Sequence, residues 1–258
     1  MTDNTTLFSG RAEVYDRFRP GYPEAWLDHL VGSTGIDASG EVADIGAGTG
    51  RLTEQLLARG LQVTAVEPNA DMLALARRRL GGRAGFRAVQ ATAEDTRLPA
   101  HSMDLVTVAQ AFHWFDPDGF RAECLRILRP GAYVALVWNS RVPTAPVTAA
   151  TAAVCRRWCP GFQGFSGGRD DEPARIARFF GGSGAVLART FPGDLRLDRA
   201  GFLGRQLSAS YAPRPGEDGY ASFVAELSEV FEEHRDGATM PFPTVLRSYL
   251  GQLPDTTA

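Results

Sequence analysis

From Glu41 to Trp138, short β-branched runs alternate with segments whose apolar residues recur at helical spacing. Such alternation predicts βαβ units feeding a mostly parallel sheet. The first strand is expected at 42–45. After a glycine-rich turn comes a helix with Leu52, Leu56 and Leu57 on one face and Gly60 as its stop signal. A second strand follows at 62–66. Asn69 is placed to cap a helix carrying Met72, Leu73, Ala76 and Leu80 inward, ended by Gly81 and Gly82. Strands are then expected at 86–89 and 103–109. Between the latter and a fifth strand at 132–138, Asp116 and Pro117 supply the cap and first-turn proline of a helix that buries Phe120, Cys124, Ile127 and Leu128. Past Trp138 the composition shifts to Pro, Thr, Ala and Gly until about residue 182, the mark of an insertion. A strand at 186–190, helices at 199–208 and 220–234, and a strand at 245–250 complete the pattern. The fold class is α/β: one domain over 1–258 with a doubly wound, mostly parallel seven-stranded sheet, an N-terminal lid at 1–30 and a small helical cap at 140–183.

Composition narrows the function. With 44% hydrophobic and 22% charged residues, the chain falls in the soluble globular class. Its longest apolar run, 133–138, is far short of a membrane span, and the polar start at 1–6 lacks the basic and apolar regions of a signal peptide. A cytoplasmic protein with no membrane partner is expected. A net charge of −3 argues against a nucleic-acid partner, which needs a basic surface. All 27 basic residues are arginine, which removes Schiff-base lysines and the phosphate-loop lysine. Cys124, Cys155 and Cys159 are too few and too ill-spaced for a disulfide framework or a four-ligand zinc site, and the four histidines form no spaced pair. The cysteines are expected to be reduced and non-catalytic, and no metal is expected.

The chemistry concentrates in Val42-Ala43-Asp44-Ile45-Gly46-Ala47-Gly48-Thr49-Gly50, a strand ending in an acid and a glycine turn before a helix. Glycines at 46, 48 and 50 let the backbone bend sharply and approach a ligand closely. A dinucleotide fingerprint would need glycine at position 51, which is Arg51, so no pyrophosphate site is indicated. Glu67 ends the second strand, where a carboxylate can accept hydrogen bonds from two ribose hydroxyls across the switch-point crevice.

With these residues the chain resembles the Rossmann-like class I S-adenosylmethionine-dependent methyltransferases, specifically the subgroup related to ubiquinone-biosynthesis and trans-aconitate methyltransferases. The resemblance also rests on Phe8-Ser9-Gly10-Arg11-Ala12-Glu13-Val14-Tyr15-Asp16, Arg19-Pro20-Gly21-Tyr22-Pro23, Thr92-Ala93-Glu94-Asp95 with Leu98-Pro99, and Gln110-Ala111-Phe112-His113-Trp114-Phe115. It implies S-adenosylmethionine as cofactor and S-adenosylhomocysteine as product. Asp44 and the turn Gly46, Ala47, Gly48 and Gly50 would hold the methionine half, and Glu67 the ribose. Pro68 and Met72 would flank the adenine, whose edge would meet Ala93 and Glu94, while Gln110 would lie against the methionyl group. Tyr15 and Arg19 resemble lid residues that close over the cofactor. Thr92 departs from the pattern, since many relatives carry an aspartate there, and it is left out of the expected site.

Acceptor recognition is expected from Trp114, Trp138, Asn139 and Tyr211, with His113 as a base or an orienting donor. Trp158, Phe162 and Phe165 point to a small, partly apolar acceptor. Two other readings stay open. Gly164-Phe165-Ser166-Gly167-Gly168 matches a hydrolase elbow with His234 downstream, but it lacks the flanking strand and helix that an elbow needs. A protein of this fold can also bind the cofactor and act as a non-methylating enzyme or non-catalytic partner.

Overall fold

A computed structural model describes residues 21–165, 173–182, 186–209 and 211–254. In chain order these form α1 (Glu24–Thr34), β1 (Glu41–Ile45), α2 (Arg51–Ala58), β2 (Gln62–Val66), α3 (Ala70–Leu80), β3 (Phe86–Val89), β4 (Met103–Ala109) and α4 (Pro117–Ile127). The remainder is β5 (Leu128–Arg141), α5 (Pro146–Trp158), α6 (Pro173–Phe179), β6 (Val186–Leu197), α7 (Arg199–Leu207), α8 (Tyr220–His234) and β7 (Met240–Gln252).

The seven strands make one sheet in the order β3-β2-β1-β4-β5-β7-β6. Strands β1 to β5 run parallel, and β7 inserts antiparallel between β5 and β6. Strand order reverses between β1 and β4, so the crevice at their carboxyl ends is the switch point where this architecture binds ligands. The doubly wound, mostly parallel sheet anticipated from the alternation of strand and helix patterns is the one present.

Side-chain alternation along each strand sorts the core into two faces. Ala43, Val106, Val134, Leu136 and Trp138 pack against α4 and α6 through Phe120, Cys124, Ile127 and Phe179. Val42, Leu105, Ala135 and Val137 face the other way, onto α1 and α2 through Trp26, Leu27, Leu30, Leu52 and Leu56. A third cluster at the sheet's end joins Val147, Val154 and Cys155 of α5 to Phe202 of α7, Phe223 and Phe231 of α8, and Met240 and Phe242 of β7. The helical layer there draws on 199–234 as well as on 146–158.

Both expected N-caps are present. The Asn69 side chain accepts from Met72 N at 3.0 Å, and the Asp116 carboxylate accepts from Gly119 N at 3.0 Å. Leu128 was expected inside α4 but begins β5, with extended backbone. Pro130 follows closely and disfavours helical conformation in the residue before it. Strands β6 and β7 are about twice as long as expected and contain Pro192, Pro241 and Pro243. Pro192 lies on an edge strand, and Pro241 and Pro243 sit where β7 pairs with β6 beyond the end of β5, so the missing N–H costs no central ladder bond. Helices α5 and α6 fall within the expected helical cap, whereas α1 lies in the segment expected as a lid. Helix α1 buries Trp26, Leu27 and Leu30 and ends at Gly35, in a left-handed cap that donates to Val31 O at 2.9 Å. Within the segment expected as a lid, residues 24–30 therefore pack on the sheet.

Candidate functional site

The glycine turn leaves β1 and folds over the end of β2. Gly46 N and Ala47 N both donate to Val66 O, at 2.8 and 3.1 Å. Gly46 has φ +68°, and a Cβ there would lie 2.6 Å from that of Ala111, so the position is closed to other residues. At Gly48 φ is +57° and an added Cβ would meet nothing nearer than Met72 Sδ at 3.7 Å. Its lack of a side chain therefore leaves a cradle in front of the turn.

Glu67 closes this turn. One carboxylate oxygen accepts from Gly48 N and the other from Asn69 N, each at 2.9 Å. A carboxylate has about four acceptor positions, so two remain for a diol. Burial pushes the Glu67 pKa up, against the lowering effect of the Asn69 and Gly48 amides. Sequence reasoning assigned Glu67 to a ligand alone and missed its second task, fixing the turn.

Asp44 lies one residue before the end of β1 and is 1% exposed. Its carboxylate accepts from Thr53 Oγ1 at 2.6 Å and Thr107 Oγ1 at 3.0 Å. Burial raises its pKa to about 6, opposed by the two hydroxyls and raised further by the charge on Glu67. A carboxyl whose folded pKa exceeds its unfolded value favours folding most below the unfolded pKa, and that contribution is lost as pH rises through about 6. Asp44→Asn should therefore be more stable than the parent at pH 8 by up to about 3 kcal/mol, and the advantage should vanish below pH ~4. Paired denaturant titrations at the two pH values measure this. Equal stability at both would contradict it.

These groups line a cleft of about 250 Å³ together with Pro68, Asn69, Met72, Ala93, Glu94, Gln110, Trp114 and Asn139. Gln110 holds a left-handed φ of +61°, uncommon for a residue with a side chain. The conformation is fixed from both ends: its N donates to Val137 O at 3.0 Å, and its Nε2 donates to Asn139 O at 3.0 Å. Glu94 accepts from Asp116 N at 2.9 Å and so ties the loop after β3 to the start of α4.

Every expected cofactor residue within the described chain is among those lining the cleft, namely Asp44, Gly46, Ala47, Gly48, Glu67, Pro68, Met72, Ala93, Glu94 and Gln110, except Gly50. Gly50 instead serves packing, since with φ +81° its Cβ would meet Leu80 Cδ1 at 2.8 Å. Tyr15 and Arg19 lie outside the described residues, as does Ser166 of the elbow motif. His234, that motif's nominal base, is bonded through Nδ1 to Val230 O of its own helix at 2.9 Å.

The acceptor-side residues divide. Trp114, 40% exposed, and Asn139 line the cleft. Trp138 is 2% exposed and packs edge-on against Phe112 and Tyr249, because strand alternation turns it into the core while Asn139 takes the opposite side. Tyr211 packs on Phe162 in the third cluster, with ring centroids 5.0 Å apart. His113 stands in a 3₁₀ turn against Trp114, at a centroid distance of 4.7 Å, and is not among the cleft-lining residues. The three cysteines are buried, and burial pushes Cys124 well above the ordinary thiol range, Cys155 to about 12 and Cys159 upward. Sequence reasoning missed Tyr22, Thr49, Asn69, Phe115 and Arg205, and set aside Thr92, all of which line the cleft. For Arg205 a signal existed: with Phe202 and Gln206 it forms an i, i+3, i+4 stripe, so a charge sits on an inward helical face.

Residues 43–136 match the family model described as Methyltransferase domain. An uncharacterized methyltransferase of Mycobacterium tuberculosis is 42% identical over 139 residues, which is 54% of this chain and 54% of that protein. The match thus spans about half the length of such curated relatives. A type II methyltransferase candidate of Anaeromyxobacter dehalogenans has a solved structure that superimposes with TM-score 0.63 at 28% identity, covering 92% of this chain and 98% of that one. The phosphoethanolamine N-methyltransferase 2 of Haemonchus contortus, solved with S-adenosylhomocysteine, shares the fold at TM-score 0.55 and 16% identity, over 93% of this chain and 56% of that one. Among the described residues no helix is long and apolar enough to cross a membrane. With its switch-point cleft, glycine turn and strand-end acid, the chain has the fold of the class I S-adenosylmethionine-dependent methyltransferases.

Proposed function

We propose that this protein transfers a methyl group from S-adenosylmethionine to a small, partly apolar acceptor. The observation that carries the reading is the Glu67 carboxylate, which faces the cleft at the switch point and is oriented by the Gly48 and Asn69 amides. Its free acceptor positions suit a ribose diol, and the bare backbone at Gly48 leaves room for that ligand. Asp44 offers a negative end for the cofactor's ammonium, with Pro68, Met72 and Ala93 as an apolar slot for the adenine. Residues 92–95 and 110–115 support a place near the ubiquinone-biosynthesis and trans-aconitate methyltransferases.

The sulfonium supplies an already activated methyl group, so the chain's own task is to align a nucleophile and exclude water. Alignment contributes up to roughly 7–11 kcal/mol in favourable cases. Gln110, locked by Val137 and Asn139, gives the cleft a rigid wall next to β4, and Trp114 offers an aromatic face at the mouth. His113 packs on Trp114 and is not among the cleft-lining residues, which favours a supporting task over proton abstraction. His113→Asn is accordingly expected to retain turnover within about tenfold, whereas loss of a general base costs roughly 100-fold or more. Release of S-adenosylhomocysteine across an acceptor panel tests both statements. Binding of the cofactor with no turnover on any acceptor would favour a non-catalytic partner instead.

A further inference from the structure

The cleft is electrically asymmetric. Its buried acids, Asp44 and Glu67, sit at the ends of β1 and β2, on one side of the switch point. Arg51, at the start of α2, stands beside the glycine turn on the same side. Across the switch point, on the side of β5 and β7, the lining includes Arg205 of α7, which is 6% exposed. An arginine keeps its charge at any physiological pH and presents a planar fork of donors that matches a carboxylate or phosphate.

Packing holds this guanidinium in place. Its carbon lies 5.4 Å from the centre of the Phe242 ring, which Arg141 also faces at 5.3 Å. Arg141 stacks on Phe165 at 3.6 Å and donates to Gln206 Oε1 at 2.9 Å, bracing the residue next to Arg205. Two guanidinium groups, those of Arg141 and Arg205, therefore share the Phe242 ring near the end of β5.

We propose that the methyl acceptor carries an anionic group, a carboxylate or a phosphate, and that Arg205 binds it. The inference rests on the methyl-transfer reading above and names the acceptor class for it. A ligand of that kind would lie with its charge towards α7 and its nucleophile towards Gln110 and Trp114, while the cofactor occupies the β1 and β2 side.

The test uses the full chain loaded with S-adenosylhomocysteine and three probes of similar shape: benzoate, phenyl phosphate and benzamide, titrated by calorimetry. At least one anion should bind about tenfold or more tightly than benzamide, and which anion wins distinguishes carboxylate from phosphate. In Arg205→Gln the preference should fall to within about twofold while S-adenosylhomocysteine affinity is kept, and Arg205→Lys should restore part of it. Equal binding of all three probes to the parent protein overturns the proposal, even if no Arg205 variant folds. So does a preference that survives Arg205→Gln, or a loss of cofactor affinity with the preference intact, which would assign Arg205 to the cofactor's own carboxylate. Failure of S-adenosylhomocysteine to bind the parent protein would instead remove the methyl-transfer reading, and the anion preference would still be measurable without it.

Discussion

Replacing Glu67 with alanine is expected to lower affinity for S-adenosylmethionine by about 100-fold. Hydrogen bonds to a charged acceptor contribute roughly 1.5–3 kcal/mol each and do not add fully, so a lost diol contact alone accounts for tenfold or more. The same substitution releases Gly48 N and Asn69 N, both held at 2.9 Å, so the turn that cradles the ligand loses its anchor. Glu67→Gln keeps one acceptor oxygen and should fall between the two, near tenfold. Calorimetric titration of each variant, with a melting curve to show that it is folded, gives the result. Affinity within twofold of the parent in a folded Glu67→Ala protein would mean that the acid serves the turn alone.

The second large effect concerns stability. Trp26 is fully buried on the face of the sheet opposite α4, and its indole Nε1 donates to Ser248 Oγ at 3.0 Å, joining α1 to β7 across 222 residues of sequence. Truncation of a buried tryptophan costs roughly 3–5 kcal/mol, and the stranded Ser248 hydroxyl adds to it. For a chain of this size Trp26→Ala should lower the melting temperature by roughly 10 °C. Trp26→Phe, which keeps most of the ring volume, should lose much less. A shift under about 3 °C in the alanine variant would show that α1 is dispensable to the core. Cofactor binding serves as a second readout, since Trp26 is not itself among the cleft-lining residues and reaches them through the ring of Tyr22, 5.6 Å away.

The half of the cleft proposed for the cofactor could be assembled from the sequence because its residues are local. Asp44, the glycine turn and Glu67 fall at strand ends, and strand ends can be read from periodicity and glycine spacing. The double use of Glu67 was hidden, since nothing in the pattern says that a strand-end acid will turn back onto Gly48. The acceptor half was less legible. Trp138 and Asn139 are adjacent, yet strand alternation sends one into the core and the other to the cleft, and a shift of one residue in the inferred register exchanges them. Arg205 reaches the cleft from a helix whose position depends on α5, α8 and β7 packing together, a contact that no local signal encodes. The proline-bearing halves of β6 and β7 were missed for a related reason: whether a proline breaks a strand depends on which neighbour it lacks.

The clasp between Trp26 and Ser248 also bears on how the protein comes into being. Strand β7 occupies an interior place in the sheet but is the last of the described strands to be made, and at ribosomal speeds of about 5–20 residues per second the separation of 222 positions takes roughly 10–45 seconds to traverse. Throughout that interval Trp26 Nε1 lacks its Ser248 partner, and once β5 is made its outer edge stays unpaired until β7 follows. A nascent chain of this topology thus passes through a stage with an open sheet edge beside β5, and only the arrival of β7 closes it.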